Sequence, residues 1–265
     1  MASSNPAFTN SPAFSNKPGT SAQLFQPQAA ATLSAGQLDD LYNRPSAGPS
    51  ETDRMTYEDT IVKTVVSFGI LLVGAAIGWI FPVLAIPAAI AGFVLALVNI
   101  FKKKPSPALI LTYAAAQGVF VGGISNIFET AYNGVVPQAI LGTLVVVGVV
   151  LALFTSGKIR ASKKATKVFI VAMVGYLVFS LLNLGLTAFG VLDGFGLREG
   201  PFGVIIGIFV ILLASYSLVL DFDTVKTGVE RGAPRVFGWS AAFGIMVTVV
   251  WLYVEILRLL AIFRE

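Results

Sequence analysis

Three acidic side chains lie within or beside the two long apolar stretches that end the sequence. They are Asp221, Asp223 and Glu255, between residues 215 and 263. A carboxylate at the depth of a bilayer is costly unless it is paired, hydrated or protonated, so such residues usually mark ion or proton pathways. Carboxylate oxygens are also the ligands that Ca²⁺ prefers. The pattern predicts a site that responds to pH or binds a cation.

The spacing of two of these acids suggests that they face each other. Residues 231–238 contain the helix breakers Gly232 and Pro234, which predict the turn of an antiparallel helical hairpin. At about 1.5 Å of rise per residue, Asp221 and Glu255 then lie within roughly 9 Å of the same depth. Two neighbouring carboxylates do not both ionise easily in a low dielectric. We therefore expect them to share a proton, and to hold Ca²⁺ transiently when both are ionised.

Other interpretations of the three acids remain open. Asp223 projects from a different helix face than Asp221, so one of the two is expected to face water or a loop, and which one pairs with Glu255 is undecided. Asp221 and Asp223 could also lie just past the end of the sixth helix and be solvated. Arg258 follows Glu255 on the same helix face and is a candidate salt-bridge partner, which would make Glu255 structural.

Polar and small residues alternate in the third apolar stretch. Gln117 and Asn126 are candidate partners for the acids, and Ser125 could bond between helices. Glycines in the same stretch allow neighbouring helices to approach closely: Gly118, Gly122 and Gly123. A packing role is the favoured interpretation of this stretch.

Composition places the chain in the membrane. Of its 265 residues, 55% are hydrophobic and 12% charged, against about 25% charged in ordinary soluble domains. The apolar residues form long runs, as membrane-spanning helices require. The sequence contains neither Cys nor His, which rules out thiolate metal sites, serine-type triads and H-E-x-x-H zinc chemistry. We expect no enzyme activity and no cofactor.

The order of the runs predicts an all-α membrane protein, a bundle of seven transmembrane helices at 56–265 behind a disordered polar tail at 1–55. The tail contains a short repeat, PAFTN then PAFSN, which is either a docking motif for a partner or part of a solvated segment; its composition favours the second. The predicted spans are 60–81, 84–101, 108–128, 137–155, 168–190, one starting near 202 and one ending near 263.

The basic residues lie in alternate loops. Lys102–Lys104, the segment 158–167 and the segment 226–235 carry most of them, whereas the other connections carry only Arg198. Lys and Arg beside apolar spans mark cytoplasmic loops. This predicts a protein of the cell membrane with its N-terminus on the cytoplasmic side and its C-terminus outside the cell. The net charge of +4 therefore fits contact with a lipid bilayer, and nucleic acid is not an expected partner.

Three segments resemble the bacterial branch of the Bax-inhibitor family of seven-helix membrane proteins. They are LDFDTVKTGV at 220–229, WSAAFGIMVTVVWLYVEILRLL at 239–260 and YAAAQGVFVGGIS at 113–125. The resemblance covers about 60–263 and leaves the tail outside. It departs from the family pattern at Glu255, where Asp is more usual, and at Gln117, where Glu is common. No Lys or Arg lies between Lys104 and Lys158, so a basic latch from the third helix is missing.

The resemblance implies a pH-sensitive Ca²⁺ leak through a pair of facing acids, which by motif fall on Asp221 and Glu255. The function expected first is thus a cation leak channel gated by protonation of this pair, with Ca²⁺ or protons as its ions. The alternative is a non-conducting membrane scaffold or regulator that binds a membrane protease or another membrane protein. Acids beside a continuous cavity favour the channel, and acids held by Arg258 or other partners favour the scaffold.

Overall fold

The structure is a computed structural model that describes residues 53–264 apart from Asp193 and Phe195. Within this part of the chain, seven helices are long and apolar enough to cross a membrane, which confirms the predicted fold. They are α1 (Tyr57–Ile80), α2 (Ala85–Phe101), α3 (Pro107–Ala131), α4 (Val135–Thr155), α5 (Lys163–Ala188), α6 (Gly200–Glu230) and α7 (Phe237–Ile262). The predicted tail lies almost wholly outside the described residues, so its disorder and the domain boundary near residue 55 stay predictions.

Local sequence signals set the helix ends. The Thr56 side chain accepts a hydrogen bond from the Asp59 backbone N–H at 3.1 Å, and that of Ser162 accepts one from Ala165 at 3.2 Å. These contacts satisfy N–H groups that a helix start leaves unpaired. Pro107 occupies the first position of α3, where its missing N–H costs nothing. Gly134, with φ of 79°, turns the chain into α4.

The sixth helix is longer than its apolar run. It continues to Glu230, and the turn follows directly at 231–236, as the Gly and Pro residues predicted. Asp221 and Asp223 therefore lie inside α6, both partly buried. The alternative that they lie beyond the helix end and are simply solvated is wrong, because the backbone hydrogen bonds of the helix run past both residues.

Helices α1 and α3 are in backbone contact. A Cβ built on Gly118 or Gly122 of α3 would overlap carbonyl groups of α1, and one on Gly78 of α1 would overlap the backbone of α3. Side chains larger than hydrogen would push the helices apart, which confirms the packing role expected for Gly118 and Gly122. Helix α7 lies at the centre and packs against α1, α4 and α6, whereas α5 has no buried residue.

The loops divide the bundle into two ends. The basic segments Lys102–Lys104 and 158–167 and the α6–α7 turn share one end, called here the basic end. Residues 132–134 and the described part of 189–199 form the opposite end. A short N-terminal strap, residues 53–56, crosses the α6–α7 turn: the Met55 N–H donates to the Ala233 carbonyl at 2.7 Å, and the Arg235 N–H donates to the Asp53 carbonyl at 2.8 Å.

Candidate functional site

One face of α7 carries a row of polar and small residues, of which Ser240 is exposed and Thr248, Glu255 and Arg258 are buried. At helical spacing of three or four residues along this face lie Ser240, Gly244, Thr248, Trp251, Glu255 and Arg258, called here the polar stripe. Its contacts reach α6 in the middle of the bundle and α5 nearer the opposite end. The stripe thus contacts polar groups of α6 and α5 at two levels of the bundle.

Asp221 meets the polar stripe in the middle of α7. The Thr248 hydroxyl donates to its carboxylate at 2.6 Å, and Ser217 lies 3.3 Å from the same hydroxyl. Gly244 gives the carboxylate room, because a Cβ there would lie 3.0 Å from Asp221 Oδ1. Among the described residues, no Lys or Arg forms an ion pair with Asp221. In the part of the chain that the structure describes, the carboxylate thus accepts one hydrogen bond, from the Thr248 hydroxyl, which Ser217 contacts in turn.

Asp223 faces a cleft of about 570 Å³ at the basic end. Ser240 and Thr227 contribute hydroxyl groups to its walls, and Met55 of the N-terminal strap closes one side. Met55 is itself only 3% exposed. The cleft lies between α6 and α7, and its Ser240 wall is one helical turn from Gly244, which contacts Asp221. Asp223 and Asp221 therefore mark two successive depths along the same hairpin.

Glu255 lies in a cluster of charged and aromatic side chains. Arg258 donates to Glu255 Oε2 from Nη2 at 2.6 Å and from Nε at 3.2 Å. The Tyr176 hydroxyl of α5 donates to Oε1, and Arg198 Nη1 lies 3.7 Å from the same oxygen. Both Glu255 and Arg258 are buried. Arg258 is thus the salt-bridge partner of Glu255 that the sequence suggested as an alternative to a shared proton.

Arg198 joins this cluster from the connection between α5 and α6. Its Nη2 donates to the Tyr176 hydroxyl at 2.6 Å and to Ser180 Oγ at 2.7 Å. Its guanidinium also lies over the ring of Phe179, 5.8 Å from the centroid. Glu255, Arg198 and Arg258 together carry one negative and two positive charges, so this trio has an excess positive charge. Sequence reasoning noted Arg198 only for topology and missed Tyr176 and Ser180.

The two acids expected to face each other have different partners. Asp221 is bonded at Thr248, and Glu255 follows about two turns later, roughly 10 Å further along the helix axis. Trp251 lies between them on the polar stripe, with its ring centroid 6.1 Å from that of Tyr176. A proton shared directly between Asp221 and Glu255 would require this arrangement to change.

The candidate partners from the third helix lie elsewhere. Gln117 faces α2, where a Cβ on Gly92 would be 3.0 Å from its Oε1 atom. Ser125 contacts the Tyr253 hydroxyl at 2.7 Å. Within the part of the chain that the structure describes, neither Gln117 nor Asn126 hydrogen-bonds an acid, and no three acidic side chains gather as a metal site would need.

Comparison with known proteins identifies the family. The family profile described as Bax inhibitor 1 like matches residues 5–265. The match begins near the start of the chain, so the tail is part of the family region, and the expectation that it lies outside is wrong. A comparison with curated proteins gives no match. The profile covers nearly all of the sequence, and this seven-helix membrane protein therefore belongs to the Bax inhibitor 1 like family.

Proposed function

We propose that the protein is a pH-sensitive cation leak whose pathway follows the polar stripe between α6 and α7. The observation that carries the proposal is the environment of Asp221, which lies at membrane depth, accepts a hydrogen bond from Thr248 and forms no ion pair with a basic side chain among the described residues. An isolated buried carboxylate is costly when ionised. Either a bound proton or a bound cation removes that cost, so the two compete for the site.

The cleft at the basic end supports an entry route. It gives a cation an opening between the two helices, and its lining carries one acid, Asp223, and one basic residue, Arg231. Ser240, Gly244 and Thr248 then lead along α7 to Asp221. Oxygen ligands of this kind suit Ca²⁺, which is the ion we propose. In this view Asp223 attracts the ion and Asp221 is the group whose protonation controls passage.

The cluster around Glu255 acts in the proposal as the closed gate. Its excess positive charge opposes a cation that approaches from Asp221. Opening requires Arg198 to withdraw from Glu255. Because Arg198 lies on a connection and α5 packs lightly, this movement disturbs few buried apolar contacts. Asp221 and Glu255 thus act at separate depths, one as sensor and one as part of the gate.

A second candidate function rests on the same cluster. Glu255 is held by Arg258, Tyr176 and Arg198, and acids locked in this way are expected of a non-conducting scaffold. Such a protein would regulate a membrane protease or another membrane protein by binding it. In either case we propose that the protein resides in the cell membrane with its basic end towards the cytoplasm, and that it is not an enzyme.

The two candidates are separated by ion flux. The purified protein would be placed in liposomes that contain a Ca²⁺-sensitive dye, and flux measured across a pH series. We expect Asp221→Asn to remove the pH dependence, because the amide cannot titrate. Asp223→Asn, two residues away on another helix face, is the matched control and should keep the pH dependence at lower flux. Glu255→Gln leaves Arg198 and Arg258 without their carboxylate, so the cluster opposes cations more strongly and flux should fall.

Specific outcomes would contradict the channel proposal. Unchanged pH dependence in Asp221→Asn would show that another group is the sensor, and its loss in Asp223→Asn would transfer the role to that acid. The absence of flux from the parent protein at every pH would leave the scaffold as the supported function.

A further inference from the structure

A lateral groove of about 370 Å³ opens on the side of the bundle between α1 and α4. No substantial packing joins these two helices, and α3 and α7 close the groove from behind. Its rims are the exposed side chains Leu72 and Ala76 of α1 and Leu144 of α4. Its floor contains Val250 and Tyr253 of α7, which are 5% and 8% exposed. The groove is thus a recess in the lipid-facing surface, with a floor that the bulk bilayer does not reach.

The chemistry of the groove selects an apolar occupant. Its lining is almost entirely hydrocarbon, and its hydroxyl groups are already paired. Ser125 Oγ donates to the Val121 carbonyl at 2.6 Å and lies 2.7 Å from the Tyr253 hydroxyl. Thr143 donates to the carbonyl of Ala139 at 2.7 Å. A polar ligand would find no free partner at these hydroxyls and would lose its own hydration.

The depth and length of the groove match one leaflet. Along α1 it extends from Phe68, near the middle of the helix, to Trp79 at the opposite end. This is about 16 Å at about 1.5 Å per residue, close to half of a hydrocarbon core that is about 30 Å thick. Trp79 lies at the helix end, where indole rings mark the membrane interface. A chain that enters there runs towards the bilayer centre alongside Tyr253.

The size of the groove favours an acyl chain over a protein helix as its occupant. Its volume falls near the lower limit of ligand sites, about 300 to 1,000 Å³, whereas a helix with side chains is about 10 Å wide. We propose that the groove is a binding site for one acyl chain of a glycerophospholipid in the leaflet at the opposite end of the bundle. This assignment is independent of the proposed ion leak.

Photocrosslinking tests the assignment directly. The full chain would be placed in phosphatidylcholine vesicles that contain a phosphatidylcholine with a diazirine in the middle of its acyl chain. After irradiation, adducts would be mapped by mass spectrometry. We expect adducts on the floor residues Val250 and Tyr253 in addition to the exposed helix faces. Lipid that only surrounds the bundle cannot reach those two buried side chains.

Variants that fill the groove provide the control. Ala76→Phe on one rim and Leu144→Trp on the other should each reduce floor adducts to background. Ala91→Phe, an exposed position on α2 that does not line the groove, should leave them unchanged. Thermal unfolding of each variant checks that it is folded. Because the two variants change different rims, the test still works if one of them is unstable.

Two results would overturn the proposal. Floor adducts that are absent from the parent would show that no acyl chain enters. Floor adducts that persist at parental yield in both folded, groove-filling variants would show that labelling does not report the groove. If the parent lacks floor adducts, and a photoreactive side chain placed at Leu72 or Leu144 joins two copies of the protein on irradiation, a second copy of the chain occupies the face instead.

Discussion

Helix α5 is held to the bundle by a different kind of contact from the one that joins α1 to α3. Between α1 and α3, glycines allow backbone to meet backbone, and a single added methyl group would overlap a carbonyl. Helix α5 has no buried residue and is joined to the bundle by side-chain contacts, which include hydrogen bonds and the ring contacts of Phe169 and Tyr176. The first contact depends on close backbone packing, and the second on hydrogen bonds, charge and ring contacts between side chains.

This difference indicates which part of the bundle can move. A backbone contact has no alternative arrangement at nearby geometry, because close-packed interfaces lose their dispersion contacts when they separate. A cluster of long polar side chains can exchange partners while its helices shift slightly. Conformational change is therefore expected at α5 and Arg198, with α1, α3 and the adjacent part of α7 as the fixed frame.

The largest expected effect comes from breaking the cluster. Glu255→Ala leaves Arg198 and Arg258 without their carboxylate, and removal of one partner of a buried ion pair typically costs about 3 to 5 kcal/mol. Thermal unfolding in detergent would measure the loss, and limited proteolysis should cut first near residues 189–199. Asp223→Ala is the matched control, because that acid lies outside the cluster, and its effect should stay within about 0.5 kcal/mol.

A result for Glu255→Ala equal to that for Asp223→Ala would contradict this view of α5. The helix would then be held by its lipid-facing packing, and the polar contacts with Arg198 would add nothing measurable.

An intermediate effect is expected from the α1–α3 contact. Gly122→Ala places a methyl group against the Ala75 carbonyl, and overpacking of this kind costs about 1 to 3 kcal/mol. At roughly 2 to 4 °C per kcal/mol for a chain of this size, the midpoint of thermal unfolding should fall by several degrees. Gly175→Ala in α5 meets open space and should be neutral or stabilising. Equal destabilisation by both changes would remove the contrast between the two contacts.

The smallest effect is expected from the hydroxyl pair between α3 and α7. Tyr253→Phe removes one hydrogen bond, worth about 0.5 to 1.5 kcal/mol, and Ser125 keeps its bond to the Val121 carbonyl. The free energy of unfolding would be measured in denaturant. In a Ser125→Ala background the same change should cost less, because its partner is already gone. A larger cost in that background would show that Tyr253 acts through another group.

The sequence was sufficient for the helices and insufficient for the partners of the acids. Apolar runs and the Gly232–Pro234 turn predicted the spans, since length and helix breakers are local properties. The end of α6 was harder to place, because Asp221 and Asp223 interrupt the apolar run but not the backbone hydrogen bonds of the helix. Helical spacing also identified Arg258 as a candidate for Glu255, three residues away on the same helix.

Long-range partners left little trace in the sequence. Thr248 is an ordinary polar residue in an apolar helix, and Tyr176 lies nine residues after Lys167, the nearest charged residue of its own helix. Arg198 carried the one available signal, as the only basic residue in the connections at the opposite end. Arg198 joins the Glu255 cluster only because of the way α5, α6 and α7 pack together. Residue spacing within a single helix gives no information on that packing.

The N-terminal strap connects the chain before residue 53 to the α6–α7 turn. Because Asp53 and Met55 are hydrogen-bonded to Arg235 and Ala233, a pull on the chain that precedes residue 53 bears first on the α6–α7 turn. The same turn is braced by Arg235, whose guanidinium lies 2.8 Å from Asp59. Tension would have to shear these bonds before it reached α1, and it would draw Met55 out of the cleft that Asp223 lines. A partner that binds the tail and pulls on it would thus act first on the α6–α7 turn.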